Sequence, residues 1–325
     1  MRFVSWIAAS FAAALCISIA HAQAWKPSRN VEIIVGSGPG GGADITGRLM
    51  QKLLSDKKLV EVPVNVVNKT GGGSALSYVY LNQHPGDGHY LALSLQPMIT
   101  APLMLPGQIS YTDMTPVAQL LNEYVAFGVR PDAPIRSGRD VIERLRKDPN
   151  SLSIVVSTAL GGSNHLATVL ALKAAGVDIR KLRVIVVKGA AEGITGVIGG
   201  HYDLAASSAA GMLPHLQSGK LRGIAVSGPR RLGDVYAQVP TWREQGVDAV
   251  YANWRGVVGP KGMTSAQLAY WDGVLGQLTQ MPEWRDQLTK LLQEPAYLNS
   301  QDTQRYLQAQ HNELKAVLVD VGLVK

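Results

Sequence analysis

The chain has 325 residues, with 31 lysines and arginines against 24 acids, a formal net charge of +7 and a single cysteine. That length exceeds one small domain and leaves room for two of ordinary size. The basic residues are scattered, with no aromatic-interleaved patch, which argues against nucleic acid; the modest positive excess suits anionic small molecules or an acidic surface.

Met1 to Ala24 read as a secretory leader: Arg2 is followed by an apolar stretch from Phe3 to Ala20 and then by the A-x-A pattern Ala20-His-Ala22. Cleavage is expected after Ala22, which makes residues 1–22 the signal peptide, and Ala22-Gln-Ala24 offers a second site two residues on. A lipoprotein would need a small residue before Cys16, where Leu15 stands. The only cysteine leaves with the leader, so the remaining chain has no thiol nucleophile, thiolate metal site or disulfide and must rely on a packed core. No later segment approaches about 18 uninterrupted apolar residues, so the expectation is a soluble, periplasmic protein.

Beyond the leader, apolar strands alternate with amphipathic helices. The strand Val31 to Val35 runs into Gly36-Ser-Gly-Pro-Gly-Gly-Gly-Ala-Asp44, then into a helix with Ile45, Leu49, Leu53 and Leu54 on one face. A side-chain-poor loop of this kind turns backbone N–H groups and the positive end of a helix towards an anion. Ser37, Gly38, Pro39, Gly40, Gly41, Gly42 and Ala43 are therefore candidate ligand contacts. Asp44 reads as the helix N-cap, with acceptance of a ligand hydroxyl as the second possibility. Gly36-Ser-Gly38-Pro-Gly-Gly41 also satisfies G-x-G-x-x-G, but the next strand, Val62 to Val67, ends in Asn68-Lys69, where a dinucleotide site needs an acid. No nucleotide cofactor is expected, and a plain tight turn remains the alternative.

A third cluster, Asn68-Lys-Thr-Gly-Gly-Gly-Ser74, precedes another helix; its Thr70 and Ser74 hydroxyls are candidates to reach a ligand beside the first loop. Strands follow at Tyr90 to Leu95, Val117 to Leu121 and Val125 to Val129, and Arg130-Pro-Asp-Ala-Pro134 then starts a new βα series. Ser153 to Val156 leads into a second glycine-rich turn, Ser157-Thr-Ala-Leu-Gly-Gly-Ser-Asn-His165, and a helix carrying Leu166, Val169, Leu170 and Lys173. Ser163 reads as an N-cap able to bond a carboxylate oxygen; His165, in the first turn, donates to a ligand or a neighbouring loop, or is structural. The strand Val184 to Val187 ends at Lys188, either a positive charge at a cleft rim or a solvated lysine. Leu204 to Ala206 and Gly223 to Val226 complete the strands. From Thr264 the pattern is wholly helical, with Leu268, Trp271, Leu275 and Leu278 and then Tyr306 to Val321, and such helices must pack on a sheet already made.

This alternation predicts an α/β protein with mainly parallel sheets. The paired glycine turns predict two analogous lobes gripping one ligand: residues 23–124 with 240–325, and 125–239, the return crossing lying between Ser227 and Tyr251. Catalytic signatures are missing: there is no G-x-S-x-G, no H-E-x-x-H, and Gly219-Lys220-Leu221 lacks the Walker spacing. His84, His89, His165, His201, His215 and His311 show no metal-ligand spacing. No catalytic residue, metal or cofactor is expected, although folding could still bring together single acids such as Asp44, Glu192 and Asp203.

In order along the chain, Pro39-Gly-Gly-Gly-Ala-Asp44, Asn68 to Ser74, Pro85-Gly-Asp-Gly-His-Tyr90, Gly161-Gly-Ser-Asn-His-Leu166, Lys188-Gly189, Gly199-Gly-His-Tyr-Asp203, Ser218-Gly-Lys-Leu-Arg222 and Val239-Pro-Thr-Trp-Arg-Glu-Gln-Gly246 resemble the extracytoplasmic solute-binding proteins of the tripartite tricarboxylate transporters, the Bug family. The resemblance covers nearly the whole chain after the leader. It implies a type II periplasmic binding protein fold, two α/β lobes joined by two crossover segments, with a cleft that closes on a small carboxylate and delivers it to two integral-membrane subunits, the receptor itself being a monomer. It also implies ligand contacts from Ser37 to Ala43 and from Thr158, Gly161, Gly162, Ser163 and His165. Where many relatives place an aspartate, this chain has Ser207 and Ser208, which argues against an amino-acid ligand; where they place a tyrosine, it has Val187. Asn253-Trp-Arg-Gly256 and the tail from Trp271 look like the tricarboxylate-binding branch, so citrate or a similar acid is the first expectation. A ligand-sensing input protein for a signalling receptor and a secreted enzyme acting on small acids are the competing readings.

Overall fold

The computed structural model describes residues 25–157, 159–187 and 189–324. The leader with its cleavage site, Thr158 and Lys188 lie outside the described residues. In chain order the elements are β1 (Val31–Val35), α1 (Gly42–Asp56), β2 (Val64–Asn68), α2 (Ala75–Leu81), β3 (Tyr90–Ser94), α3 (Pro97–Met104), β4 (Met114–Glu123), β5 (Val125–Val129), α4 (Gly138–Lys147), β6 (Ser153–Ser157) and α5 (Ser163–Ala174). They continue with β7 (Arg183–Val187), α6 (Ala190–Ile198), β8 (Leu204–Ser208), α7 (Ala209–Gln217), β9 (Arg222–Val226), β10 (Asn253–Pro260), α8 (Ser265–Gln280), α9 (Pro282–Lys290), β11 (Gln293–Leu298) and α10 (Ser300–Asp320).

Two sheets organise these elements, one in the order β11-β4-β10-β3-β1-β2 and the other β7-β6-β8-β5-β9. β1 runs parallel to β2 and β3, and β6 parallel to β7 and β8. β10 and β11 pair antiparallel with β4, β10 also with β3, and β5 pairs antiparallel with β8 and β9. Both sheets are therefore mixed, not mainly parallel as the alternation predicts. The reversals come from the strands beside the crossings between sheets. Only Tyr124 separates β4 from β5, and the return runs from Ser227 to Ala252. The two passages are tied at Ser227, whose hydroxyl accepts the Val125 N–H at 2.9 Å and donates to the Tyr251 carbonyl at 2.7 Å.

Two strands escape the apolar periodicity because polar residues interrupt it. β10 carries Asn253, Arg255 and Gly256, and β11 carries Glu294 and Pro295. β11 corrects the expectation of a wholly helical C-terminus; it lies at a sheet edge, where a proline removes no ladder bond the sheet needs. The buried face of α1 also differs from expectation. Met50, Leu53 and Leu54 are buried, but Ile45 is exposed, and Gly47 takes the close contact instead: a Cβ there would sit 2.9 Å from Val35 Cγ2.

One hydrophobic cluster joins the lobes. Ile34, Tyr78 and Met98 from the first sheet's side meet Phe127, Val156 and Ala206 from the second, with Leu307, Leu314 and Leu318 of α10 among them. Trp271 of α8, fully buried, anchors the other side of the first sheet and donates its indole N–H to the Gly88 carbonyl at 3.0 Å.

Candidate functional site

Helix starts differ in how they are closed; α2, α3 and α9 follow Ser74, Gln96 and Met281 without a side-chain cap bond. α4, α7, α8 and α10 are closed by Ser137, Ser208, Thr264 and Asn299, each accepting the backbone N–H three residues on. α1, α5 and α6 begin after Gly41, Gly162 and Gly189, with no side-chain cap bond. An uncapped start leaves N–H groups and the positive end of the helix dipole unsatisfied by the chain itself. These three helices follow β1, β6 and β7, so their starts lie at the carboxyl ends of parallel strands, where open α/β sheets bind ligands.

The two N-caps expected from the sequence are corrected here. Helix α1 starts at Gly42, which makes Asp44 its third residue, and the carboxylate folds back over the loop. One Asp44 oxygen accepts the Gly40 N–H and Arg48 Nε, both at 2.8 Å, and the other accepts Asn68 Nδ2 at 2.8 Å. The Arg48 hydrogen bond above all, helped by Asn68 and the Gly40 amide, outweighs burial and holds the Asp44 pKa at about 2. A lowered carboxylate pKa contributes stability that is complete above its ordinary value of 3.8 and is lost as pH falls towards about 2. Thermal melts of Asp44→Asn and the parent should therefore differ above pH 3.8 and converge below about 2.

Asn68 also donates to the Ser37 carbonyl at 2.8 Å, so one side chain spans the first loop. The third glycine cluster lies against that loop: a Cβ on Gly36 would fall 2.3 Å from Ser74 Cβ, and one on Gly38 would lie 4.0 Å from Thr70 Cγ2. Thr70 and Gly40 are exposed, Asp44 and Ser74 buried. Pro39 and Gly42 are also exposed, Ala43 is buried, and Ser37, Gly38 and Gly41 are half-buried.

In the second loop the helix starts at Ser163, one residue too early for Ser163 to cap it. Its hydroxyl instead shares its proton between Gln96 Oε1 at 3.0 Å and Asn253 Oδ1 at 2.9 Å. His165 is buried and accepts the Gly161 N–H on Nδ1 at 3.1 Å; burial lowers its pKa to about 4, so the ring is neutral. That bond ties the ring to the backbone of its own loop. Gly161 is buried with φ of +75°, and Gly162 is half-buried. Ser207, on β8, is 3% exposed; its hydroxyl and that of Ser37 have no hydrogen-bond partner among the described residues. Ser207 lies with Ser157 and Ala190 beside the start of α6, around a gap too tight to admit a water molecule.

Three residues connect the loops: Gln96 and Glu123, which the sequence reading passed over, and Arg255, which it noted only as part of Asn253-Trp-Arg-Gly256. Arg255 and Asn253 alternate onto one side of β10. Arg255 is 6% exposed, pairs with Glu123 and donates to Thr46 Oγ1 at 3.3 Å; a Cβ on Gly42 would lie 2.6 Å from its Nη2. Asn253 Nδ2 donates to the same Glu123 at 3.3 Å. Gly42 of the first loop and Ser163 of the second thus each touch a side chain from the start of one strand, β10. The signal available in the sequence was period-two spacing of Asn253 and Arg255, hidden by the absence of an apolar run. No group of three metal-ligating side chains occurs among the described residues.

The sequence profile of the tripartite tricarboxylate transporter family receptors (TctC) matches residues 48–323. A protein of Cupriavidus necator described as "UPF0065 protein in gbd 5'region" is 29% identical over 322 residues, covering 98% of this chain and 95% of its own. The fold is similar to the crystal structure of a TctC solute binding protein from Polaromonas, with TM-score 0.74, 26% identity and coverage of 90% and 98%. It is also similar to the R. palustris protein Rpa4515 with adipate, with TM-score 0.77, 24% identity and coverage of 91% and 98%.

Proposed function

Because the chain belongs to the tripartite tricarboxylate transporter receptor family, we propose that it captures a small carboxylate between its two lobes, 23–124 with 240–325 and 125–239, in the periplasm and delivers it to two membrane subunits. A tricarboxylate such as citrate is the first candidate. The observation that carries this reading is the set of helix starts at α1, α5 and α6, each with glycine at the cap position, no side-chain cap bond and a place at the carboxyl end of a parallel strand. Anions are stabilised at such ends by direct N–H bonds and by the dipole. The unpartnered hydroxyls of Ser37 and Ser207 supply further donors. Adipate in a structural neighbour fits the same ligand chemistry. Lys188 and Thr158 belong to the proposed site by their positions beside Gly189 and in the second loop.

Closing a mostly open receptor requires the ligand to prefer the closed form by ~10⁴, or about 5.5 kcal/mol. Charge-assisted hydrogen bonds of about 1.5–3 kcal/mol each reach that with a few contacts from each loop. The test is a thermal-shift and calorimetric screen of the exported protein with citrate, adipate and amino acids. At a hundredfold excess over Kd a binding acid should add about 2.7 kcal/mol of stability. Gly40→Val, which puts a branched side chain at φ +77°, should abolish that gain. Stabilisation by amino acids alone would sink the carboxylate reading, and turnover of a bound acid would require the enzyme reading.

A further inference from the structure

Gln96 sits between β3 and α3, on the first lobe, and is 1% exposed. Its amide grips the second loop from two sides: Nε2 donates to the Gly161 carbonyl at 3.2 Å, and Oε1 accepts from Ser163 at 3.0 Å. Tyr251, on the return crossing, donates to the same Oε1 at 3.1 Å. The Gly161 peptide nitrogen is meanwhile held by His165. An un-ionised amide is suited to this position because it offers a donor and an acceptor at once. A carboxylate would face the Gly161 carbonyl with no proton to give, and an ammonium could not accept from Ser163.

Backbone packing agrees with a loop pressed onto the other lobe. Gly161 takes the left-handed conformation, and a Cβ there would stand 2.8 Å from Met104 Cε of α3 and 3.5 Å from Leu318 Cδ2 of α10. Asn253, from the first sheet, also accepts from the Ser163 hydroxyl, at 2.9 Å.

We infer that Gln96 is a lobe-to-lobe latch, a positioning residue that binds the second glycine loop to the first lobe and so holds the closed arrangement through protein contacts as well as through ligand. The inference deepens the carboxylate-receptor reading and rests on it for its meaning in transport, but its main readout needs no ligand.

Cys16 lies in the leader, so Lys52→Cys in α1 and Glu143→Cys in α4, both exposed and one on each lobe, take a donor and acceptor dye cleanly in the exported protein. Single-molecule energy transfer of the ligand-free protein should show a minor high-transfer state beside the open, low-transfer one. Gln96→Ala should shift the open-to-closed ratio about tenfold towards open, equivalent to about 1.4 kcal/mol. With citrate and adipate as probes, the Kd of whichever binds should rise by a similar factor. Ser163→Ala removes one of the same contacts from the other lobe, so it should open the protein alone and add little on top of Gln96→Ala. It also carries the test if Gln96→Ala does not fold. Gly40→Val in the first loop should lose binding while keeping the parent transfer distribution. A transfer distribution unchanged by Gln96→Ala, or full additivity with Ser163→Ala, overturns the latch. If neither probe binds the parent and Gln96→Ala still opens it, the carboxylate reading fails and the latch stands.

Discussion

Replacing Arg255 with methionine is expected to destabilise the protein by about 3–5 kcal/mol, because the Glu123 carboxylate would then be buried without its cation. Both side chains are under a tenth exposed, and besides Arg255 the carboxylate has Asn253 as a donor, too little to support a full charge away from water. Arg255→Met together with Glu123→Gln should recover most of that loss, since a buried pair exchanged for neutral groups is often close to neutral in stability. Urea unfolding of the two single variants and the double variant measures the coupling directly. Additive losses would show that the two charges do not depend on one another. A functional effect accompanies the structural one. The guanidinium lies beneath the start of α1, so its removal also lowers the positive potential at the first loop.

Stability is expected to rise steeply between pH 4 and 6.5, and His165 is the reason. Burial holds its pKa at about 4 against an ordinary 6.5, so in that interval the unfolded chain takes up a proton that the folded chain refuses. Stability due to the neutral ring is complete above 6.5, falls as pH drops, and is exhausted near 4. The difference corresponds to about 3 kcal/mol at about 1.36 kcal/mol per pKa unit. His165→Gln, which keeps an acceptor for the Gly161 N–H but does not titrate, should flatten this part of the profile in melts from pH 4 to 7. A profile that keeps its slope in the variant would assign the effect to another group.

Strands with an apolar run were legible: β1 and β5 have the bounds read from the sequence, and β3, β6 and β9 differ by a residue at one end. β10 and β11 were not, because their identity comes from pairing with β4 and not from their own side chains; tertiary partners override local pattern in strands more readily than in helices. The glycine loops were recognised as strand-to-helix turns, but the roles of their polar residues were assigned too locally. Asp44 and Ser163 each look like an N-cap when only neighbours in sequence are considered. Asp44 keeps local partners in Gly40 and Arg48, but it also holds Asn68, 24 residues away, and the partners of Ser163, Gln96 and Asn253, lie 67 and 90 residues away. Spacing along a chain cannot foretell contacts made through the fold; for the same reason Gln96 and Glu123 carry no sequence signal, and Arg255 stands out only as part of Asn253-Trp-Arg-Gly256.

Glycine in place of a capping residue at three helices has a cost when nothing is bound. A missing side-chain cap forgoes about 1 kcal/mol, only a few tenths of it when the substitute is glycine, yet the N–H groups left over gain most when an anion arrives. Empty and loaded copies therefore differ in how often they open locally, and a protease acts on the open form. On the proposed reading of the chain as an exported carboxylate receptor, idle copies would be cleared by proteases sooner than occupied ones, so the supply of solute would help to set how many copies persist. Limited digestion with and without citrate reads that difference in lifetime.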